Sequence, residues 1–97
     1  MKILDWSKVE EFCLKHADVR EPFDAWKCEV MDANWGTINE LRATYPTASI
    51  KKNKRIVFNI KGKKYRLQVR VNLKFGIIRI ERVGTHAEYS KWPIEES

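Results

Sequence analysis

At 97 residues and 11.5 kDa the chain can enclose one modest core, so a single domain over 1–97 is expected and multi-domain architectures are excluded. Hydrophobic residues at 43% and charged residues at 33% describe an ordinary globular protein, not a disordered one. The formal charge of +6 is unevenly spread: residues 1–50 carry 6 Lys/Arg against 9 Asp/Glu, net −3, and residues 51–97 carry 13 against 4, net +9. A chain polarised in this way attracts a polyanion onto one surface, nucleic acid being the commonest, and a solvated basic face that serves only solubility is the even alternative. No apolar run approaches the roughly 18 residues of a membrane span, and residues 1–6 lack the apolar stretch of a secretory signal. The expected location is the cytoplasm, with no membrane partner. Cys13 and Cys28 are far apart and fall in helical patterns as small apolar residues, so neither a disulfide framework nor a zinc site is expected.

The helical half spans 5–46. Ile3–Leu4 reads as an edge strand, after which Asp5 or Ser7 can cap a helix, Ser7 with Glu10 having the spacing of a capping box, and Val9, Phe12, Cys13 and His16 share one helix face. His16 reads as core or rim. Pro22 is tolerated in a first helical turn, and Phe23, Trp26, Val30 and Ala33 recur at helical spacing. Trp35-Gly36 breaks that helix. Thr37 with Glu40 starts a third, carrying Ile38, Leu41 and Tyr45 before Pro46. Lys51, Lys52, Lys54 and Arg55 form a charge run that suits a solvated loop.

From 55 to 84 the period changes to two, which predicts an antiparallel meander. A turn at Gly62-Lys63 pairs Ile56 with Val69, Phe58 with Leu67 and Ile60 with Tyr65, and places Asn59 beside Arg66; the alternative turn at Lys61-Gly62 slides the pairing by two residues and preserves the faces. A second turn at Phe75-Gly76 pairs Leu73 with Ile78 and Val71 with Ile80, puts Arg70 opposite Glu81, and extends to Thr85 opposite Arg66. Thr85 with Glu88 is a further capping box, predicting a short helix over 86–92 that carries His86 and Tyr89 on one side, with Trp92 against the sheet edge. The fold class is α+β, with N-terminal helices on one face of an antiparallel sheet and a cationic face left open.

These registers bring Asn59, Arg66, His86 and Tyr89 to one end of the open face. Arginine offers a guanidinium fork to a phosphate, asparagine an amide donor, histidine a titratable imidazole and tyrosine a phenol. The pattern shows no carboxylate cluster for a metal, no Gly-rich phosphate loop, and no serine or cysteine beside the histidine, so neither cofactor nor metal is expected. RNA brings its own 2′-hydroxyl nucleophile. An enzyme need only remove that proton, stabilise the phosphorane charge and protonate the leaving oxygen. Arg66 suits the middle task, and the proton transfers fall to His86 or Tyr89, since a histidine with a reference pKa of ~6.5 near an arginine is expected to be neutral. Arg55, Lys61, Lys63, Lys64 and Arg70 form the RNA-binding flank. Taken singly, each of these side chains also fits a solvated surface role, and Arg70 a weak pair with Glu81.

The segments RIVFNIKGKKYRLQVRVN and RVGTHAEY, with DANW and ATYPTAS before them, resemble HigB-type toxins of type II toxin-antitoxin systems, within the RelE/ParE-like superfamily. The resemblance is strong over 32–91 and looser in the first helices. It implies the RelE/ParE-like α+β fold and a ribosome-dependent mRNA endonuclease. It also implies a HigA-like helix-turn-helix antitoxin, through which alone the protein meets operator DNA. It carries over to Arg66 within YRL and to His86 and Tyr89 within THAEY. The chain departs from the pattern at Val57 and Asn59, where many RelE-type nucleases have lysines, at Glu81, where arginine is frequent, and at Ser90, where aspartate is. Phosphate neutralisation then falls to Lys61, Lys63 or Arg55. Two other readings are a ParE-like poison of a protein target such as gyrase and a non-catalytic RNA-binding module.

Overall fold

The computed structural model describes residues 1–93; the end of the expected domain, 94–97, lies outside the described residues. Apolar residues at every second position build β3 (Arg55–Ile60), β4 (Tyr65–Asn72) and β5 (Ile77–Thr85). Period two turns Ile56, Phe58, Ile60, Tyr65, Leu67, Val69 and Val71 to one face, where all are buried. These strands form the expected meander. Two short strands extend it: β1 (Lys2–Leu4) pairs parallel with β5, and β2 (Ser49–Ile50) pairs antiparallel with β3. The sheet order is β1-β5-β4-β3-β2. The fold is α+β, and the sheet is mixed because the Ile3–Leu4 edge strand runs parallel to its neighbour.

Helices α1 (Ser7–Lys15), α2 (Arg20–Asp32) and α3 (Ile38–Thr44) supply the other half of the core. Val9, Cys13, Phe23, Trp26, Val30 and Leu41 cluster with the apolar sheet face. Full burial of side chains such as Phe23, Phe58 and Leu67 stabilises the fold by about 1.5–3 kcal/mol each. Trp26 joins the layers: its ring stacks on Trp6 with centroids 6.1 Å apart and meets Phe58 edge-on at 5.3 Å. His16 lies at the rim, stacked on Phe12 at 4.3 Å.

Helix starts follow the local chemistry unevenly. Thr37 Oγ1 accepts from the Glu40 N–H, as expected. The Ser7–Glu10 box does not form, because α1 begins one residue after a Trp6 cap and Glu10 is engaged elsewhere. Its carboxylate accepts from Trp6 Nε1 and pairs with Arg20 at 2.8 Å, and the Arg20 hydrogen bond holds it below the usual carboxylate range.

The first hairpin takes the register of the Gly62-Lys63 turn and not that of the Lys61-Gly62 alternative: Ile56 with Val69, Phe58 with Leu67, Asn59 with Arg66 and Ile60 with Tyr65. Gly62 takes φ 66 in the turn, and the Lys64 N–H donates to the Lys61 carbonyl. The second register differs. Asn72 pairs with Ile77, Val71 with Ile78, Arg70 with Arg79 and Val69 with Ile80, two residues from the expected alignment. Slippage by two preserves the faces, so hydrophobic patterning cannot discriminate between the two alignments. A β-bulge at Glu81 then inserts one residue, so that Gln68 meets Arg82, Arg66 meets Gly84, and Thr85 faces Tyr65 instead of Arg66.

Candidate functional site

The polar face of β4 carries Arg66, Gln68 and Arg70, and their surroundings differ sharply. Arg66 is only 8% exposed. Its Nη1 donates to the Lys63 carbonyl at 2.6 Å, and its guanidinium lies over the Tyr89 ring, 5.1 Å from the centroid. It has no carboxylate partner among the described residues. A largely buried cation without a counter-anion is costly, and among the described residues the Lys63 carbonyl is the one hydrogen-bond acceptor its five N–H donors reach. The arrangement is receptive to an anion.

Helix α4 (His86–Tyr89) delivers Tyr89 to this point. Its capping box is complete: Thr85 Oγ1 accepts from the Glu88 N–H, and the Glu88 carboxylate accepts from the Thr85 N–H at 2.8 Å. The His86 N–H donates to the Lys64 carbonyl at 3.0 Å. The β3–β4 turn therefore anchors both Arg66, through Lys63, and the first residue of α4, through Lys64. His86 is exposed, and Tyr89 is half-buried with its ring edge-on to Trp92 at 5.3 Å. Guanidinium and phenol thus meet as expected, with the imidazole three residues away on the same helix.

The bulge and Gly84 make the approach possible. Gly84 faces Arg66 across the strands, and a Cβ there would lie 3.2 Å from both Glu88 Cβ and Trp92 Cζ2. A glycine inside a strand pattern signals close approach. The glycine of RVGT is the sequence feature that marks this approach. Trp92 also lies against Arg82, whose guanidinium is 5.7 Å from its ring centroid.

The remaining candidates divide by partner. Asn59 shares the Arg66 rung, but its Nδ2 donates to the Thr47 carbonyl at 3.2 Å. Lys61 and Lys64 both reach Asp18 Oδ2, at 2.9 and 3.0 Å, and Tyr65 Oη donates to Asp18 Oδ1 at 2.9 Å. Hydrogen bonds from Lys61, Lys64 and Tyr65 hold the Asp18 carboxyl well below its ordinary range, and Asp18 raises the Lys64 pKa. This clamp ties the β3–β4 turn to the 3-10 turn Ala17–Val19 ahead of α2. Lys63 is exposed and has no carboxylate partner among the described residues. Arg55 and Arg70 pair with Glu81 at 2.9 and 3.6 Å, and Gln68 Nε2 donates to the same carboxylate at 3.1 Å. Burial opposes ionisation of Glu81, but Gln68, Arg55 and Arg70 outweigh it and lower its pKa. Arg55, Arg70, Lys61 and Lys64 thus have carboxylate partners, whereas among the described residues the buried Arg66 and the exposed Lys63 have none.

A helix-covered mixed sheet, an open cationic face and a buried arginine under the Tyr89 ring place the chain among small α+β domains. The family model described as HigB toxin, RelE-like toxic component of a toxin-antitoxin system, matches residues 19–92, and the chain belongs to that family. No curated protein matches it. Membership implies an antitoxin partner. Among the described residues no helix is long and apolar enough to cross a membrane, and no group of His, Cys, Asp and Glu is disposed to hold a metal ion.

Proposed function

We propose that the chain is a ribosome-dependent mRNA endoribonuclease that arrests translation in the cytoplasm by a metal-independent cleavage. The observation that carries this reading is the Arg66 guanidinium, largely buried, without a carboxylate partner among the described residues and lying over the ring of Tyr89, which shares helix α4 with His86. The RNA 2′-hydroxyl attacks the adjacent phosphorus as the bond to the 5′-oxygen breaks, leaving a 2′,3′-cyclic phosphate and a 5′-hydroxyl. Arg66 stabilises the charge on the equatorial oxygens. His86 and Tyr89 share the two proton transfers, one taking the 2′ proton and the other supplying the leaving oxygen. Asn59, held by Thr47, orients the scissile phosphate. Lys63, Lys61, Lys64, Arg55 and Arg70 draw RNA to the face through the field they create, which the partial exposure of Lys61, Lys64 and Arg70 keeps accessible.

A HigA-like helix-turn-helix antitoxin neutralises the toxin and provides its only link to DNA. Expression of the chain without antitoxin, followed by mapping of transcript 5′ ends, tests the reading. Expected are new 5′-hydroxyl ends within translated regions, absent when translation is blocked beforehand. Growth arrest with intact transcripts and damaged DNA replication would instead identify a poison of a protein target.

A further inference from the structure

Arg55 pairs with Arg70 and Arg70 pairs with Arg79, so three guanidiniums occupy one rung across β3, β4 and β5, at roughly 4.8 Å per strand. Like charges set directly opposite one another destabilise a sheet. Two carboxylates offset the repulsion from the flanks. Glu81, the extra residue of the bulge, reaches Arg55 and Arg70, and Asp5 pairs with Arg79 at 2.9 Å.

A cleft of about 510 Å³ opens beside this rung, on the open face and at the end away from α4. Lys54, Arg70, Arg79, Asn53 and Asn72 form its polar lining, alongside three apolar residues. Asn53 and Lys54 have successive left-handed backbones, φ 58 and 62, which is uncommon for non-glycine residues. The Lys54 carbonyl accepts from the Val71 N–H at 2.9 Å, and the Lys51 N–H donates to the Arg55 carbonyl at 2.8 Å, which holds the strained wall in place. Cations and amide side chains thus converge on a concave surface. The neighbouring groove combines Ile38, Ile50, Ile56 and Leu73 with Lys51, Lys54, Arg55 and Lys74, and does not include the Arg70–Arg79 pair.

We infer that the Arg70–Arg79 cleft is a second phosphate subsite, which holds the RNA strand as it leaves Arg66, with Glu81 and Asp5 as internal counter-anions that the backbone phosphates replace. This rests on the RNA reading of the open face. Arg66 and Arg70 are separated by four residues of one strand, about 13 Å at ~3.3 Å per residue. A dinucleotide cannot bridge them, whereas a longer strand engages both. Forked guanidiniums fit phosphate oxygens, and the amides of Asn53 and Asn72 add donors.

The test is binding of fluorescent 2′-O-methyl RNA, which cannot be cleaved, to the full chain across a salt series, with a dinucleotide and an octanucleotide compared. Arg79→Gln and Lys54→Gln should each weaken octanucleotide binding several-fold and reduce the salt slope by about 0.7, the value for one phosphate contact on a single strand. Dinucleotide binding should not change. Arg79→Lys should restore the slope, which separates lost charge from misfolding, and Glu81→Gln should raise octanucleotide affinity. An identical octanucleotide slope in wild type, Arg79→Gln and Lys54→Gln overturns the subsite. If transcripts are still cut in that case, the cleavage reading stands alone; a lowered slope without any cleavage leaves the subsite and removes the nuclease.

Discussion

Arg66 and Arg70 lie on the same face of the same strand, yet their neighbours assign them opposite electrostatic states. Arg70 is half-exposed and faces Glu81, which it shares with Arg55. Arg66 is nearly closed off from solvent, and its partners are a carbonyl and an aromatic face. Neither of those partners neutralises a charge. The lesson concerns residue type: an arginine on an open sheet is ordinary, and the absence of a carboxylate around a buried one is the distinguishing feature.

The largest effect that would break this comparison is loss of the uncompensated cation. Arg66→Ala is expected to lower cleavage by about 10²–10³-fold, the usual consequence of removing one preorganised donor from a developing oxyanion. Arg70→Ala should weaken RNA binding less than tenfold, as expected of a positioning contact; cleavage rates of the two purified variants on a translated message decide it. If both lose activity equally, the distinction between the two ends of the face collapses. Circular dichroism shows whether Arg66→Ala stays folded.

Tyr89 sharpens the same contrast. Tyr89→Phe keeps the ring over Arg66 and removes only the hydroxyl, whereas Tyr89→Ala also removes a cation–π contact of roughly 0.5–2 kcal/mol. A rate loss of about 10²-fold in the phenylalanine variant, with RNA affinity unchanged, assigns proton transfer to the phenol. Full activity in that variant assigns the ring a purely positioning part and leaves the chemistry to His86.

At the other end of the face, Glu81 has a measurable pH signature. Its folded pKa is depressed, so its contribution to stability is complete above its unfolded value of about 4.3 and is lost as pH falls through the lower folded value. Between pH 7 and pH 3, wild type should therefore lose more thermal stability than Glu81→Gln. Equal losses would show that the carboxylate does not tie Arg55 and Arg70 as drawn. The smallest effect is expected at Gly84, where an alanine Cβ meets Glu88 and Trp92 at 3.2 Å. Gly84→Ala should cost about 1 kcal/mol through crowding, read in chemical denaturation, and should reduce cleavage by shifting α4 away from Arg66.

Local patterns determined much of this molecule. Period two in 55–73 was sufficient to define the β3–β4 hairpin and its buried face, but not to choose between turns two residues apart; the folded chain sets Ile60 opposite Tyr65. The Thr85 and Glu88 spacing was sufficient to start α4, because a capping box is satisfied within four residues. Both features led from the sequence to the meeting of Arg66 and Tyr89, although the intermediate pairing of Thr85 with Arg66 was off by one residue. The parallel edge strand, the two-residue slide of the second hairpin and the bulge at Glu81 were decided only in three dimensions. A slide by two leaves every side chain on its original face, and a bulge is stabilised by partners remote in sequence, here Arg55 and Gln68. Charge compensation follows the same rule. Composition counts cations, but only the folded chain brings Asp18 to Lys61 and Lys64, and Glu81 to two arginines, while leaving Arg66 with none among the described residues, because Coulomb attraction depends on distances that the linear order of residues does not contain.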